Sequence, residues 1–251
     1  CTTADTVLAN DVVVFLSVSP TEGQNLQHLK YGTSNAQSVT LSFYVRSNKT
    51  GTYVAELYNA DSFKHITKTY AIDSADTWER KTLTFVGDTA SGFDNDTNRS
   101  LEVIFCLGAG TNYTSGTAPS TWTSLTDANR YVGQTVNLAD NTANEFYITG
   151  VQLEVGETAT PFEHRSYGDE LLRCQRYYFQ RSIQAFFSRW NSNRSTILFH
   201  HPVDMRASPT LSYTLISGST LLTKIDNRAS QIYTDAAEGR SLTNFTADAE
   251  L

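Results

Sequence analysis

The chain has 251 residues, enough for one large or two small domains, and 39% of them are hydrophobic, with 13 Phe and 13 Tyr, which supplies an aromatic-rich core. A formal charge of −7 with only 19 Lys and Arg excludes a duplex nucleic-acid surface, which needs concentrated cations. No apolar run has the length of a membrane-spanning helix, so membrane insertion is not expected.

Thr, Ser and Asn are abundant and Lys is scarce, a balance that favours strands and polar turns, because hydroxyl and amide side chains compete with helical backbone bonds. The expected fold class is all-β. In chain order, Val12 to Val18 reads as a first strand, followed by a Ser-Pro-Thr-Glu-Gly turn. From Ser38 the pattern is clear: Val39, Leu41, Phe43 and Val45 alternate with Thr40, Ser42, Tyr44 and Arg46, giving one apolar face and one polar face. Asn48-Lys-Thr-Gly then reads as a turn and Thr52 to Tyr58 as its hairpin partner. Lys64 to Ile72 and Trp78 to Val86 are the third and fourth strands, with Trp78 assigned to packing. Leu101 to Leu107 is the fifth, with Leu101, Val103, Phe105 and Leu107 on one face. Short strands separated by turns predict a sandwich or jelly roll rather than βαβ units.

Gly108 to Asn144 is a long polar segment, and segments of that length without regular structure are usually functional or disordered. Phe146 to Val155 closes the sandwich, with Val151, Leu153 and Val155 on the buried face against Gln152 and Glu154. Gly156 ends it, and Thr160-Pro161 forces an extended backbone. Ser166 with Asp169 three residues on predicts a capped short helix, in which Leu171, Leu172 and Cys174 form a small apolar face. From Cys174 the pattern returns to strand. Cys174 to Trp190, Ser195 to His200, Thr210 to Ile216, Leu221 to Ile225 and Gln231 to Thr234 are the expected strands of a second sheet system. The domains expected are thus residues 1–160, a connector at 161–175 and a small β domain at 176–251. Tyr177, Tyr178, Phe186, Phe187 and Trp190 exceed the needs of so small a core and suit burial of some of them against another subunit or against the first domain.

The three cysteines, Cys1, Cys106 and Cys174, have no paired spacing, so neither a disulfide scaffold nor a zinc site is expected, and Cys106 and Cys174 read as buried small apolar residues. No HExxH, GxSxG, Walker or Rossmann string is present, and no carboxylate pair stands out for glycosidase chemistry. The expectation is a non-enzyme.

Several strings carry a resemblance. GVQLEVG, TPFEHRSYGDELLRCQRYY and FHHPVDMRASPTL resemble recurrent C-terminal segments of bacteriophage tail-fibre and other virion surface proteins. SVTLSFYVRSNKTGTYVAEL and DTWERKTLTFVGDT resemble the strands of a jelly-roll carbohydrate-binding module. The resemblance runs from roughly residue 24 to the end of the chain. It implies a jelly-roll β-sandwich followed by a short helical connector and a small C-terminal β domain. It also implies a homotrimer on the virion surface, among other virion proteins, that attaches to host surface polysaccharide. The alternatives are a purely architectural fibre or capsid-decorating segment and, third, a polysaccharide depolymerase.

Sugars are held by aromatic faces on their C–H surface and by amides and carboxylates on their hydroxyls. Two places offer these groups. The long segment has Tyr113, Trp122, Asp127, Asn129, Arg130 and Tyr131, although Trp122 equally fits as a cap on the sandwich. The polar face of the first hairpin has Tyr44, Arg46, Glu56 and Tyr58, where Tyr44 and Tyr58 equally fit as a cross-strand pair. Asp88, Asp94, Asn95 and Asp96 are a weaker candidate for a structural calcium, with a spacing unlike an EF-hand; no other metal or cofactor is expected.

Overall fold

The computed structural model describes residues 4–16, 21–181, 185–186, 188–191, 194–215, 220–234 and 241–249. The chain divides into two compact units, Cys1–Glu163 and His164–Leu251. Both are built from antiparallel strands, and the fold is all-β and jelly-roll-like.

The first unit contains β1 (Val12–Leu16), β2 (Thr21–Glu22), β3 (Val39–Ser47), β4 (Gly51–Asn59), β5 (Lys64–Ile72), β6 (Glu79–Phe85), β7 (Arg99–Ala109), α1 (Thr111–Thr114), β8 (Thr123–Ser124) and β9 (Phe146–Val155). These strands form two sheets, a six-stranded one ordered β1-β7-β4-β5-β8 with β2 also on β7, and a three-stranded one ordered β6-β3-β9. Phe43, Tyr53, Tyr70, Leu57, Phe85 and Phe105 fill the space between them. Phe43 meets Tyr70 and Phe105 edge-on, each at 5.0 Å between ring centroids, the geometry aromatic quadrupoles favour.

The expected hairpin does not form. β3 lies in the three-stranded sheet between β6 and β9, whereas β4 lies in the six-stranded sheet between β5 and β7. The Asn48–Thr50 stretch is a corner between layers, so the apolar faces of β3 and β4 oppose one another across the core. Its hydrogen bonds explain the corner. Asn48 Nδ2 donates to Ala143 O and its Oδ1 accepts from Glu145 N, Tyr53 Oη donates to Lys49 O at 2.8 Å, and Gly51 takes a φ of 137° that disfavours other residues. The true hairpin is β4–β5, closed where Asn59 Oδ1 accepts from Asp61 N and Ser62 N.

The second unit contains α2 (Tyr167–Gln175), β10 (Tyr178–Arg181), β11 (Ala185–Phe186), β12 (Ser188–Asn191), β13 (Arg194–His200), β14 (Thr210–Leu215), β15 (Thr220–Ile225), β16 (Ala229–Thr234) and β17 (Ser241–Asp248). β17 pairs with β10, β11 and β14, and β12-β13-β16-β15 makes the other sheet. Phe199 stacks on Phe245 at 4.4 Å in a core that also holds Phe179, Met205 and Ile232. Phe187, one of the surplus aromatics, lies outside the described residues; Tyr178 is exposed.

Ser166 caps α2 as expected, its Oγ accepting from Asp169 N at 3.2 Å. The helix runs on through Gln175, so the following strand starts at Tyr178 rather than Cys174. Cys174 is exposed, not buried, because α2 lies on the surface and buries none of its residues. Ser166→Ala should lower the stability of this unit by about 1 kcal/mol, read as a shifted urea midpoint; an unchanged midpoint would show that the cap is dispensable.

Candidate functional site

The long segment is not an open sugar-binding loop. It folds over the outer face of the six-stranded sheet, where Tyr131 is 1% exposed and packs on Val54 and Cys106. Trp122 is buried, its Nε1 donating to Val86 O at 2.7 Å and its ring edge-on to Tyr31. Neither ring has a face to offer a ligand. Tyr113 is half-buried, 6.4 Å from Tyr131, and Asn129 Oδ1 is engaged by Thr117 N. Only Asp127 of the six is exposed.

Arg130 anchors this cover. Its Nη2 donates to Glu56 Oε2 at 2.8 Å and its Nε reaches both carboxylate oxygens at 3.1 and 3.2 Å. His65 Nδ1 lies 2.9 Å from Glu56 Oε1, and Glu56 and His65 are fully buried. Burial works against charge on Arg130, but the hydrogen bonds and charge of Glu56 outweigh it and hold the guanidinium more firmly protonated than usual. Glu56 is therefore committed inside the fold. Tyr58 sits beside it, register-paired with His65.

Because β3 and β4 belong to different sheets, Glu56 and Tyr58 do not share a face with Tyr44 and Arg46, and the Tyr44–Tyr58 cross-strand pair does not exist. The acidic loop is corrected too. Asp88 is buried and bonded to Lys64 Nζ at 3.0 Å, and Asp96 Oδ1 accepts from Asn98 N. Among the described residues no three His, Cys, Asp or Glu side chains converge.

What remains open is the outer face of the three-stranded sheet. Across it, Arg46 is register-paired with Tyr147, and Tyr44 with Arg80 and Thr149. Trp78, just before β6, is 47% exposed and is not a packing residue. Leu83 and Phe85 fix the inward face of β6, so by alternation Trp78 belongs outward with Arg80. Its ring lies 6.5 Å from that of Tyr147, tilted by 56°. Arg46 Cζ stands 5.5 Å from the Tyr147 centroid, and its Nη2 reaches Asp76 Oδ1 at 3.4 Å. Glu145, through a hydrogen bond and its charge, raises the Tyr147 hydroxyl above its ordinary value, so it stays protonated. An exposed indole and an exposed phenol thus lie beside a guanidinium and a carboxylate.

Tyr147 escaped the sequence reading for a physical reason. Strict alternation from Val151, Leu153 and Val155 puts Tyr147 inside. The pairing shifts by one residue between Ser42 and Tyr44, at Gly150, whose φ is 58°. This bulge turns Phe146 and Ile148 inward and Tyr147 and Thr149 outward. A glycine inside a strand pattern was the available signal.

A strap bounds the patch. At Gly156 the chain turns back and lays Glu157 to Glu163 over the lower half of the face. Glu154 accepts from Thr160 N and Oγ1 at 3.0 and 2.5 Å, Arg80 Nη2 donates to Thr160 O, and Gln152 Oε1 accepts from Glu163 N. The Thr160 hydroxyl, first, and Gln152 hold Glu154 below its ordinary value of 4.5. A lowered carboxylate stabilises above its unfolded value and loses that contribution as pH falls through the folded one. Amide protection at Thr160 should accordingly hold above pH 4.5 and fall below it, and Glu154→Gln should lose that protection at neutral pH. Protection that ignores both changes would show that Glu154 does not hold the strap.

No family model matches the chain, and no curated protein matches it. Among solved structures it is similar to recombinant discoidin II of Dictyostelium discoideum, at 10% identity and a TM-score of 0.21, over 98% of this chain and 80% of that one. A likeness that slight carries no argument about this chain.

Proposed function

We infer that the first unit binds saccharide on the outer face of its three-stranded sheet, with Trp78 and Tyr147 as the stacking platform. Arg46, Asp76 and the Tyr147 hydroxyl serve the ring hydroxyls, and Tyr44 extends the surface toward the strap. The observation that carries this reading is the exposed tilted pair itself. An exposed indole and phenol beside a partly exposed Arg46–Asp76 ion pair suit the amphipathic face of a sugar, which has C–H surface to stack and hydroxyls to bond.

The finer reading is that the chain is the surface-displayed part of a bacteriophage virion protein, a non-enzymatic adhesin that forms a homotrimer. The resemblance of GVQLEVG and TPFEHRSYGDELLRCQRYY to phage segments supports it. Trimeric display would multiply weak single-site contacts by orders of magnitude. Light scattering tests the stoichiometry, a trimer supporting the reading and a monomer at micromolar concentration contradicting it. Incubation with bacterial surface polysaccharides tests the chemistry: new reducing ends or lost viscosity would replace the adhesin with a depolymerase.

A further inference from the structure

The strap does more than bound the outer face of the three-stranded sheet, because it carries an aromatic ring onto it. A Cβ on Gly150 would stand 3.2 Å from Tyr44 Cδ2 and 3.7 Å from Phe162 Cδ2, so a ring from β3 and a ring from the strap converge on the same bare point of β9. Phe162 is 37% exposed and Tyr44 40%. The sheet holds Phe162 from both sides in sequence: Gln152 Nε2 donates to Pro161 O at 3.4 Å, Arg80 Nη2 donates to Thr160 O at 2.6 Å, and Glu163 N donates to Gln152 Oε1 at 2.8 Å. Gly150, which makes the bulge, also keeps the backbone between the two rings clear, as glycine does where a ligand approaches closely.

The exposed rings therefore form two rows. Trp78 and Tyr147 are level with Arg46, since Tyr147 pairs with Arg46 and Trp78 precedes Glu79, the partner of Val45. Tyr44, beside Thr149 and Arg80, lies two residues along β3 on the same face, a step of about 7 Å. A single pyranose ring stacked on one row leaves the other bare. The cations on this face are balanced, Arg46 by Asp76 and Arg80 by Glu154, whose charges act on one another, which suits an uncharged ligand.

We propose that this face takes a neutral oligosaccharide of at least two sugar residues, one on Trp78 and Tyr147 and the next against Tyr44 and Phe162, with Thr149 serving its hydroxyls. The proposal rests on the saccharide reading above and gives it a length and a second subsite.

The test is an NMR titration of the full chain with mono-, di- and trisaccharides of glucose, galactose, mannose, rhamnose and N-acetylglucosamine, following the Trp78 indole N–H and the ring protons of Tyr44 and Phe162. At least one disaccharide should shift all three residues and bind about tenfold more tightly than its monosaccharide, a gain of the size one aromatic contact supplies. Phe162→Ala should bring the disaccharide close to the monosaccharide's affinity with the Trp78 shift retained, and Phe162→Tyr, which keeps the ring, should bind like the parent. The proposal is overturned, with the saccharide reading intact, if a disaccharide shifts Trp78 but not Tyr44 and Phe162, if it binds no more tightly than its monosaccharide, or if Phe162→Ala binds it like the parent. If no sugar shifts Trp78, the saccharide reading fails and the proposal fails with it.

Discussion

Replacing Arg130 with Met is expected to cost the first unit about 3–5 kcal/mol, because it strips the counter-charge from a carboxylate that has no access to water. Glu56 is 0% exposed at the middle of β4, and Arg130 grips both of its oxygens. His65 remains as a partner through Nδ1, but its own Nε2 is buried without a hydrogen bond, so it compensates poorly. The lost guanidinium should also free the segment above the sheet. Tyr131 would lift from Cys106, whose thiol burial pushes up to about 12. Two readouts follow: a lower urea midpoint, and a Cys106 thiol that reacts with a disulfide reagent alongside the already exposed Cys174. Adding Glu56→Leu should recover much of the loss, since a buried ion pair exchanged for apolar groups is often neutral. If Arg130→Met unfolds at the parent's midpoint with Cys106 still inert, the segment is held by packing alone.

The second large effect concerns the open face. Trp78→Ala should weaken saccharide binding by about 2 kcal/mol or more, roughly thirtyfold, while leaving the urea midpoint of the unit nearly unchanged, as expected for an exposed residue. The residue is 47% exposed and its ring lies a tilted 6.5 Å from that of Tyr147, outside the sealed core between the sheets. Arg46→Ala should weaken binding less and should also free Tyr147 from its cation–π contact. A Trp78→Ala chain that melts several degrees lower would instead return this residue to the packing role that its sequence context suggests.

The fold class was legible because alternation survives wherever one sheet face meets the core, as in β3 and β6. Strand partnership was not. A short turn between two apolar-alternating strands looks the same whether they pair side by side or face each other, and only the anchoring of Asn48 to Ala143 and Glu145 decides. β7 shows a related effect, since Ser100, Glu102, Ile104 and Cys106 are as buried as Leu101 and Phe105. The segment that covers Cys106 sits after β7 in sequence and carries no periodic signal of its own. β17 went unrecognised because its inward residues Phe245 and Ala247 follow Asn244, whose φ of 53° and the accompanying register shift break the period of two.

The candidate site was half legible. Tyr44 and Arg46 face outward as their parity indicates, while Tyr147 depends on the bulge at Gly150 and Trp78 on the inward anchors Leu83 and Phe85. The aromatics chosen from the long segment failed for an energetic reason. Trp122 and Tyr131 have the largest rings there, and in a segment that must cover a sheet face the largest apolar surfaces are the ones buried first.

The most direct test of the saccharide reading is an array of microbial surface polysaccharides probed with the parent chain, Trp78→Ala and Tyr147→Ala, each checked for an unchanged urea midpoint. The account predicts that the parent binds at least one neutral glycan and that both folded variants lose that signal. Silence of the folded parent across the array, or a signal that survives both substitutions, would contradict it.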